Sequence, residues 1–405
     1  MLKVLQKSGR LALLLVSLLL TVLLLSACGS ENSKANSGPA PVNSASATTA
    51  PTVQVASTAL AVPTPSAPAN TPGTPTPVPP TPALELPNAS LAPAAPTPTP
   101  AKSDAKQPVQ PATGPGGSEY AFKTVGSNSY GSGSQSYYIY EPSNPKPDKP
   151  LPLVVLLHGY EGVNPNGGYR LWIEHIVKRG NIVVFPVYQQ PSSREGDKFT
   201  PDALVALQDA LKRLQDGTHA KPDLDKFAIV GYSAGGVIAT NLAAGYSKYQ
   251  LPQPKALFAV TPGGCANCSI LSIRNFTLAS PAELGQIPPS IKMLLLAGDS
   301  DMVVGETATK LIWQSISQVP ASNKNYLLAV SDNYGQPPLV ADHGMTVHRP
   351  PNALDYNGIW KLFDGLESCA LAGKDCDYAL GNTEHQRSLG NWSDGRPVNE
   401  LKVLG

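Results

Sequence analysis

Short apolar runs and amphipathic stretches alternate along the second two-thirds of the chain. Leu153–Leu157 is a continuous apolar run with no polar alternation, the pattern of a strand buried on both faces. Ile182–Val187, Phe227–Val230, Ala256–Val260, Met293–Ala297 and Tyr326–Val330 predict further strands, and Tyr137–Tyr140 an earlier one. Helical spacing separates them. Leu171, Ile173, Ile176 and Val177 share a face in Tyr169–Arg179, which Gly180 closes. Pro201–Leu214 places Leu204, Leu207, Leu211 and Leu214 on one side, with Thr200 as its N-cap. Ala234–Tyr246 and Leu354–Leu366 are also predicted helices. Strands alternating with helices imply an α/β fold: a mostly parallel central sheet with helices on both faces. Chemistry in such folds gathers at the carboxyl ends of the strands.

The first third of the chain lacks this pattern. Leu11–Leu25 is almost wholly apolar and follows Lys3, Lys7 and Arg10. It is short for a membrane span and ends in small residues, as a secretory signal does. Leu25-Ser26-Ala27-Cys28 resembles a bacterial lipobox, which implies a signal peptide over 1–28 and acylation of Cys28. Acyl chains bind a membrane at about 0.8 kcal/mol per buried methylene, so more than one gives a firm anchor. The protein is therefore expected outside the cytoplasm, lipid-anchored to the cell membrane. Residues 29–118 are mostly Ala, Pro, Thr and Ser and hold about half of the 42 prolines. So little apolar surface cannot offset chain entropy, so this stretch reads as a disordered tether. Extended at about 3.1 Å per residue, it reaches on the order of 200 Å. The catalytic domain is then expected over 119–405.

Charge adds only exclusions. Charged residues are 15% of the chain and the formal net charge is +1, with no basic cluster to suggest a nucleic-acid partner. With Cys28 assigned to lipid, Cys265, Cys268, Cys369 and Cys376 form an even set in an oxidising compartment. Three pairings are open, and the local ones, Cys265–Cys268 and Cys369–Cys376, are favoured. A zinc site would compete for these four, but no histidine stands at ligand spacing, so no metal is expected. A redox role for Cys265-Ala266-Asn267-Cys268 lacks a thioredoxin-like surround.

Gly231-Tyr232-Ser233-Ala234-Gly235-Gly236 lies between a predicted strand and a predicted helix, the context a G-x-S-x-G elbow requires. Ser233 is the expected nucleophile. Serine needs a base, and the base an orienting acid. In this fold type they follow the serine in the order acid, then histidine. Gly298-Asp299-Ser300-Asp301 follows the penultimate strand; Asp301 is the favoured acid and Asp299 its rival. Asp342-His343-Gly344 follows the last strand, so His343 is the favoured base, ahead of His348 and His385. His175 and His219 need no function, and His158 reads as a structural loop residue. The oxyanion hole calls for two amides. Those of Ala234 and Tyr160 are expected, with Glu161 the fallback for the second.

The motifs Leu156-Leu157-His158-Gly159, Gly231–Gly236, Gly298–Asp301 and Asp342–Gly344 together resemble the α/β-hydrolase superfamily over about residues 120–370. Within it the chain looks most like the compact branch of dienelactone hydrolases, chlorophyllases and cutinase-like esterases. The resemblance implies cleavage of carboxylic esters, small or lipid-like, through an acyl-enzyme, with no metal or organic cofactor, by a monomer. Polyester hydrolases of this branch usually carry Met after the nucleophile, and Ala234 stands there instead, so a polymeric polyester is not implied. The 261–289 stretch is short for a lid and reads as a disulfide-stapled rim. The tail from Tyr378 matches no motif, although Asn391–Gly395 reads as a turn with Trp392 packed on the core. Alternatives are a peptidase or lactone hydrolase on the same fold, or a ligand-binding lipoprotein without catalysis. Acyl and alcohol pockets would draw on residues such as Tyr160, Tyr188 or Trp313.

Overall fold

The computed structural model describes residues 103–269, 271–347 and 350–405. The signal peptide, Cys28, most of the expected tether and His348 lie outside the described residues. In chain order the main elements are β1 (Thr124–Tyr130), β2 (Ser136–Asn144), β3 (Leu151–Leu157), α1 (Arg170–Lys178), β4 (Ile182–Val187), α2 (Phe199–Arg213), β5 (Pro222–Tyr232), α3 (Ala234–Ala244) and β6 (Ala256–Val260). There follow α4 (Pro281–Leu284), β7 (Lys292–Gly298), α5 (Thr307–Ser315), β8 (Lys324–Ala329), α6 (Trp360–Ala372), α7 (Glu384–Arg387) and β9 (Lys402–Val403).

One nine-stranded sheet runs in the order β1-β2-β4-β3-β5-β6-β7-β8-β9. The run from β4 through β8 is parallel; β1, β2 and β9 join antiparallel at the edges. This is the α/β architecture expected from the alternation of elements. Because β3 is apolar throughout, it feeds both layers. Leu153, Val155 and Leu157 pack with α2, α3 and α5, while Val154 and Leu156 pack with α1 and α6.

Three features depart from the sequence reading. Thr200 lies inside the first turn of α2, which starts at Phe199 after Lys198 and has no side-chain cap, so Thr200 is not an N-cap. The last long helix opens with a π-helical turn over Asp355–Ile359 and runs to Ala372, where Gly373 ends it in a left-handed conformation at φ 66°. Most consequential is the stretch 103–118. Composition places it in the tether, yet it lies against the folded domain. Ser103 N donates to Tyr334 O at 2.7 Å, Gln336 N to Ala105 O at 2.9 Å, and Lys106 and Ser393 exchange bonds. Tyr356 Oη donates to Pro108 O at 2.7 Å, and Gly116 N donates to Asp364 Oδ2 at 2.6 Å. Ala105, Pro108 and Pro115 are the side chains it buries. A proline-rich extended chain has no internal hydrogen bonds, so its backbone is available to pair with a neighbour, and composition carries no trace of that.

Asp364 belongs to a buried polar cluster on the α6 side. It accepts from His175 Nε2 at 2.9 Å and from Arg179 at 3.2 Å, and His175 Nδ1 meets the Tyr120 hydroxyl at 3.1 Å. His219 likewise finds structural partners in Tyr130 and Glu141, and His385, the last-ranked candidate base, bonds Asp377. Beside Asp364, Glu367 accepts from Asn181 Nδ2 at 3.2 Å, while its second oxygen has no partner among the described residues. Burial, and next the Asp364 charge, push the Glu367 carboxyl up to about 8.

Two predictions follow from these contacts. A chain beginning at Glu119 is expected to melt several degrees below one beginning at Ser103, since the strap's hydrogen bonds are worth on the order of 1 kcal/mol each; equal melting temperatures would show that the strap is not held in solution. Glu367 is protonated when folded and ionises in the unfolded chain from about pH 4.5. Its contribution is therefore full below that pH and is lost as pH rises towards about 8. Glu367→Gln removes this slope, so the melting temperature of the variant relative to the parent is expected to climb between pH 5 and pH 8.

Candidate active site

The parallel strands end together, and the carboxyl ends of β3, β5 and β7, with the loop after β8, converge on Ser233. The turn from β5 into α3 is tight. Ser233 has φ 56° and ψ −123°, a conformation that costs a non-glycine residue on the order of 1–3 kcal/mol. It is held by its amide on Val260 O at 2.9 Å and by Gly236 N and Gly263 N on its carbonyl. The motif's glycines explain themselves here. A Cβ on Gly231 would strike the carbonyl of Gly235, and one on Gly235 would strike the carbonyls of Leu157 and His158.

The structure brings Ser233, His343 and Asp301 into one chain of hydrogen bonds. His343 Nε2 is 2.9 Å from Ser233 Oγ, and His343 Nδ1 is 2.8 Å from Asp301 Oδ2. The Asp301 side chain is wholly buried and that of His343 is 15% exposed. The other Asp301 oxygen accepts from the amides of Val303 and Val304 at 2.9 and 3.0 Å. Burial alone would raise this carboxyl, but the His343 bond and those two amides outweigh it and hold it below its ordinary value. Asp301 thus stays ionised through the neutral range, the state that orients an imidazole and stabilises its protonated form.

Asp299, the rival acid, points elsewhere. Its Oδ2 accepts from Ser331 N at 2.9 Å and its Oδ1 from Ser331 Oγ at 2.6 Å. Ser331 Oγ in turn accepts from Ala341 N at 2.9 Å, and Ser300 N donates to Ala341 O at 3.1 Å. Asp299 therefore ties the loop bearing Asp301 to the loop bearing His343, two residues before the histidine. The same excursion is gripped from the tail. Buried Asp332 accepts from Trp392 Nε1 at 3.1 Å and from Asn399 N at 2.9 Å. Trp392 is 1% exposed and sits beside the 392–395 turn, so the unassigned tail braces the histidine loop.

The loop after β3 is pinned at several backbone groups. Tyr188 Oη donates to His158 O at 2.5 Å, Gly159 N donates to Tyr169 Oη at 2.8 Å, and Glu161 N donates to Gln189 Oε1 at 3.0 Å. His158 is structural: it stacks on Tyr188 at 4.1 Å, its Nδ1 meets Gly159 O, and burial drives it down to about 4, so it is neutral. Glu161 is thereby excluded as an oxyanion donor, because its amide is taken. Among the described residues the amides of Tyr160 and Ala234 have no partner, and both adjoin Ser233. No sequence signal marks Tyr169, Tyr188 or Gln189 as supports of this loop, since Tyr169 reaches it from the start of α1 and Tyr188 and Gln189 from the end of β4. Tyr232 is a further support, donating from Oη to His343 O at 2.8 Å.

A cavity of about 340 Å³ opens over Ser233 and His343, walled by Tyr160, Leu271, Ile273, Val303 and Val304. Leu271 and Ile273 come from the 261–289 stretch, so that stretch does form a rim. Cys265 and Cys268 at its base stand at disulfide distance, with Cα atoms 5.2 Å apart, as do Cys369 and Cys376 at 4.6 Å. Of the three aromatic residues expected to shape a pocket, only Tyr160 lines this one. Tyr188 is buried beneath the loop, and Trp313 lies on α5 against Tyr326.

The stitch between the two loops is testable without assuming any activity. Asp299→Ala leaves Ser331 N without its acceptor and frees Ser331 Oγ to turn away from Ala341 N. Hydrogen exchange at the Ser331 and Ala341 amides is expected to quicken about tenfold or more, the scale of losing a hydrogen bond to a charged group; unchanged protection would refute the coupling.

Comparison with known proteins bears on part of this arrangement. No curated protein matches the chain. Residues 116–278 match the family model of the chlorophyllases, which are of α/β-hydrolase type; the match contains Ser233 and ends before Asp301 and His343, and it points to a hydrolase of the esterase kind.

Proposed function

We propose that the protein is an extracytoplasmic serine hydrolase that cleaves carboxylic esters through an acyl-enzyme, held at the cell membrane by lipid on Cys28. The observation that carries the chemistry is the unbroken relay Ser233 Oγ–His343 Nε2/Nδ1–Asp301 Oδ2, with bonds of 2.9 and 2.8 Å. The lipobox sequence and the cysteine pairs at disulfide distance support the location, since such pairs persist in oxidising compartments.

In this reading Ser233 Oγ attacks the ester carbonyl carbon while His343 Nε2 takes its proton. The carbonyl oxygen becomes an oxyanion facing the amides of Tyr160 and Ala234, and the N-terminal end of α3 adds favourable potential. Collapse of the tetrahedral intermediate breaks the bond to the alcohol, which leaves with the proton from His343. Water then repeats the sequence on the acyl-Ser233 ester, with His343 again as base, and releases the acid. No cofactor enters either half. Asp301 fixes the imidazole so that Nε2 faces Ser233 and offsets the charge it gains.

The test is covalent labelling and turnover in the same preparation. A fluorophosphonate probe is expected to label Ser233, and Ser233→Ala to lose labelling and to cut hydrolysis of p-nitrophenyl butyrate by ~10⁴-fold or more with its melting temperature unchanged. Asp301→Asn is expected to approach that loss, with Asp299→Asn far milder. A binding protein without catalysis would neither label nor turn over.

A further inference from the structure

The cavity over Ser233 is not closed. Past Tyr160, Ser272 and Ile273, which line both spaces, it opens into a groove of about 850 Å³ whose character is different. The inner cavity is walled by aliphatic and aromatic side chains. The outer groove carries three cations, Arg194, Lys198 and Arg274, and three anions, Glu161, Glu195 and Asp197. Lys198 and Glu195 pair with each other at 2.6 Å. Arg194, Arg274, Glu161 and Asp197 make no ion pair or side-chain hydrogen bond among the described residues. Beyond Asp197 and Asn275 the groove continues into a third space of about 490 Å³, edged by Lys248, Tyr249, Glu283 and Gln286.

Two backbone observations single this groove out. Glu161 and Asn275, on its opposite loops, hold φ 61° and 60°, and Ser192 in the adjoining loop holds 63°. Asparagine tolerates this conformation, but glutamate rarely adopts it, and such residues gather where a ligand is held. Glu161 is kept there by the bond from its amide to Gln189, and it lines the groove. Next to it the Tyr160 ring is fixed by its hydroxyl on Ser193 O at 3.0 Å, offering a flat apolar face between the two spaces.

We propose that the substrate is an ester of a polyhydroxylated, sugar-like alcohol, whose acyl group enters the inner cavity and whose sugar residues lie along the outer groove. The inference rests on the ester-hydrolase reading above and names its substrate class. Balanced charge, three against three, gives no net selection for an anion or a cation. Interspersed donors and acceptors suit a ligand whose every hydroxyl both donates and accepts. An alkyl alcohol would leave these groups unmatched, because it offers them nothing beyond one ester oxygen. The length of the groove favours an oligosaccharide over a single sugar. Glu161 and Arg274 are the residues assigned to hold the sugar nearest the ester.

The experiment compares 6-O-acetylglucose, a 6-O-acetylated cellotriose and n-hexyl acetate, which share an acyl group and a primary alkoxy leaving group, on the full chain. The value of kcat/KM is expected to be at least tenfold higher on the acetylated sugars than on hexyl acetate, and higher on the trisaccharide than on glucose. In Glu161→Gln/Arg274→Ala the ratio of kcat/KM on acetylglucose to that on hexyl acetate is expected to fall at least tenfold. Hexyl acetate turned over as well as the sugars, or a ratio indifferent to the double substitution, overturns the proposal. Hydrolysis of p-nitrophenyl butyrate with no sugar ester cleaved overturns it while leaving the ester-hydrolase reading intact. Failure of fluorophosphonate labelling together with all four esters overturns both.

Discussion

The site depends on one strained turn. Ser233 can leave β5 and enter α3 with a positive φ only because Gly231 and Gly235, two residues to either side, carry no side chain and the neighbouring strand ends grip its backbone. Its amide is tied to β6, and its carbonyl is met from α3 and from the loop after β6. The strain is therefore borne by the parallel sheet, whose strands β3, β5 and β6 must be in register before the turn can close. Strain of this kind persists only where the surroundings over-determine it. The apolar, two-faced strands supply that rigidity, and the turn converts it into a hydroxyl presented at a fixed point.

Around that point the molecule consists largely of devices that hold loops. The segment after β3 is held through His158 O, Gly159 N and O, Glu161 N and Gly162 N, on both sides of the Tyr160 amide, so the loop's own order is what leaves that donor available. The loops carrying Asp301 and His343 are joined through Asp299, Ser331 and Ala341. The C-terminal tail and the strap before β1 close over the same excursion, the tail through Trp392 and Asn399 on Asp332, the strap through Ser103 and Ala105 on Tyr334 and Gln336. Both ends of the described chain thus brace the segment that delivers His343.

The strands of the parallel core were legible because their burial on two faces leaves an uninterrupted apolar run; Ile182–Val187 and Ala256–Val260 carry the same limits in sequence and in structure. The convergence of Ser233, Asp301 and His343 was legible because chain order and strand position leave few candidates. What escaped was whatever stabilises through backbone pairing or distant contact. β1, with the sequence TVGSNSY, has little apolar content and forms by its ladder with β2. The strap is proline-rich and reads as tether, yet pairs through its carbonyls and amides. Asp299 offered two roles that only its geometry with Ser331 separates. The supports of the oxyanion loop, Tyr169, Tyr188 and Gln189, carry no spacing rule, since the fold alone makes them neighbours.

On the proposed chemistry, the two spaces beyond Ser233 place different demands on the same loops. The inner cavity needs apolar walls that exclude water from the reacting carbonyl, where unscreened amides act most strongly on a developing oxyanion. The outer groove needs exposed polar groups. Tyr160 serves both, since its amide faces the reacting centre, its ring forms the inner wall, and its hydroxyl is anchored to Ser193 beside Arg194. A shift of this residue would move the proposed oxyanion donor and the proposed substrate contact together. Binding along the groove can therefore be felt at the carbonyl through the backbone of one residue, which is how contacts remote from the reacting bond come to act on the transition state as well as on the bound substrate.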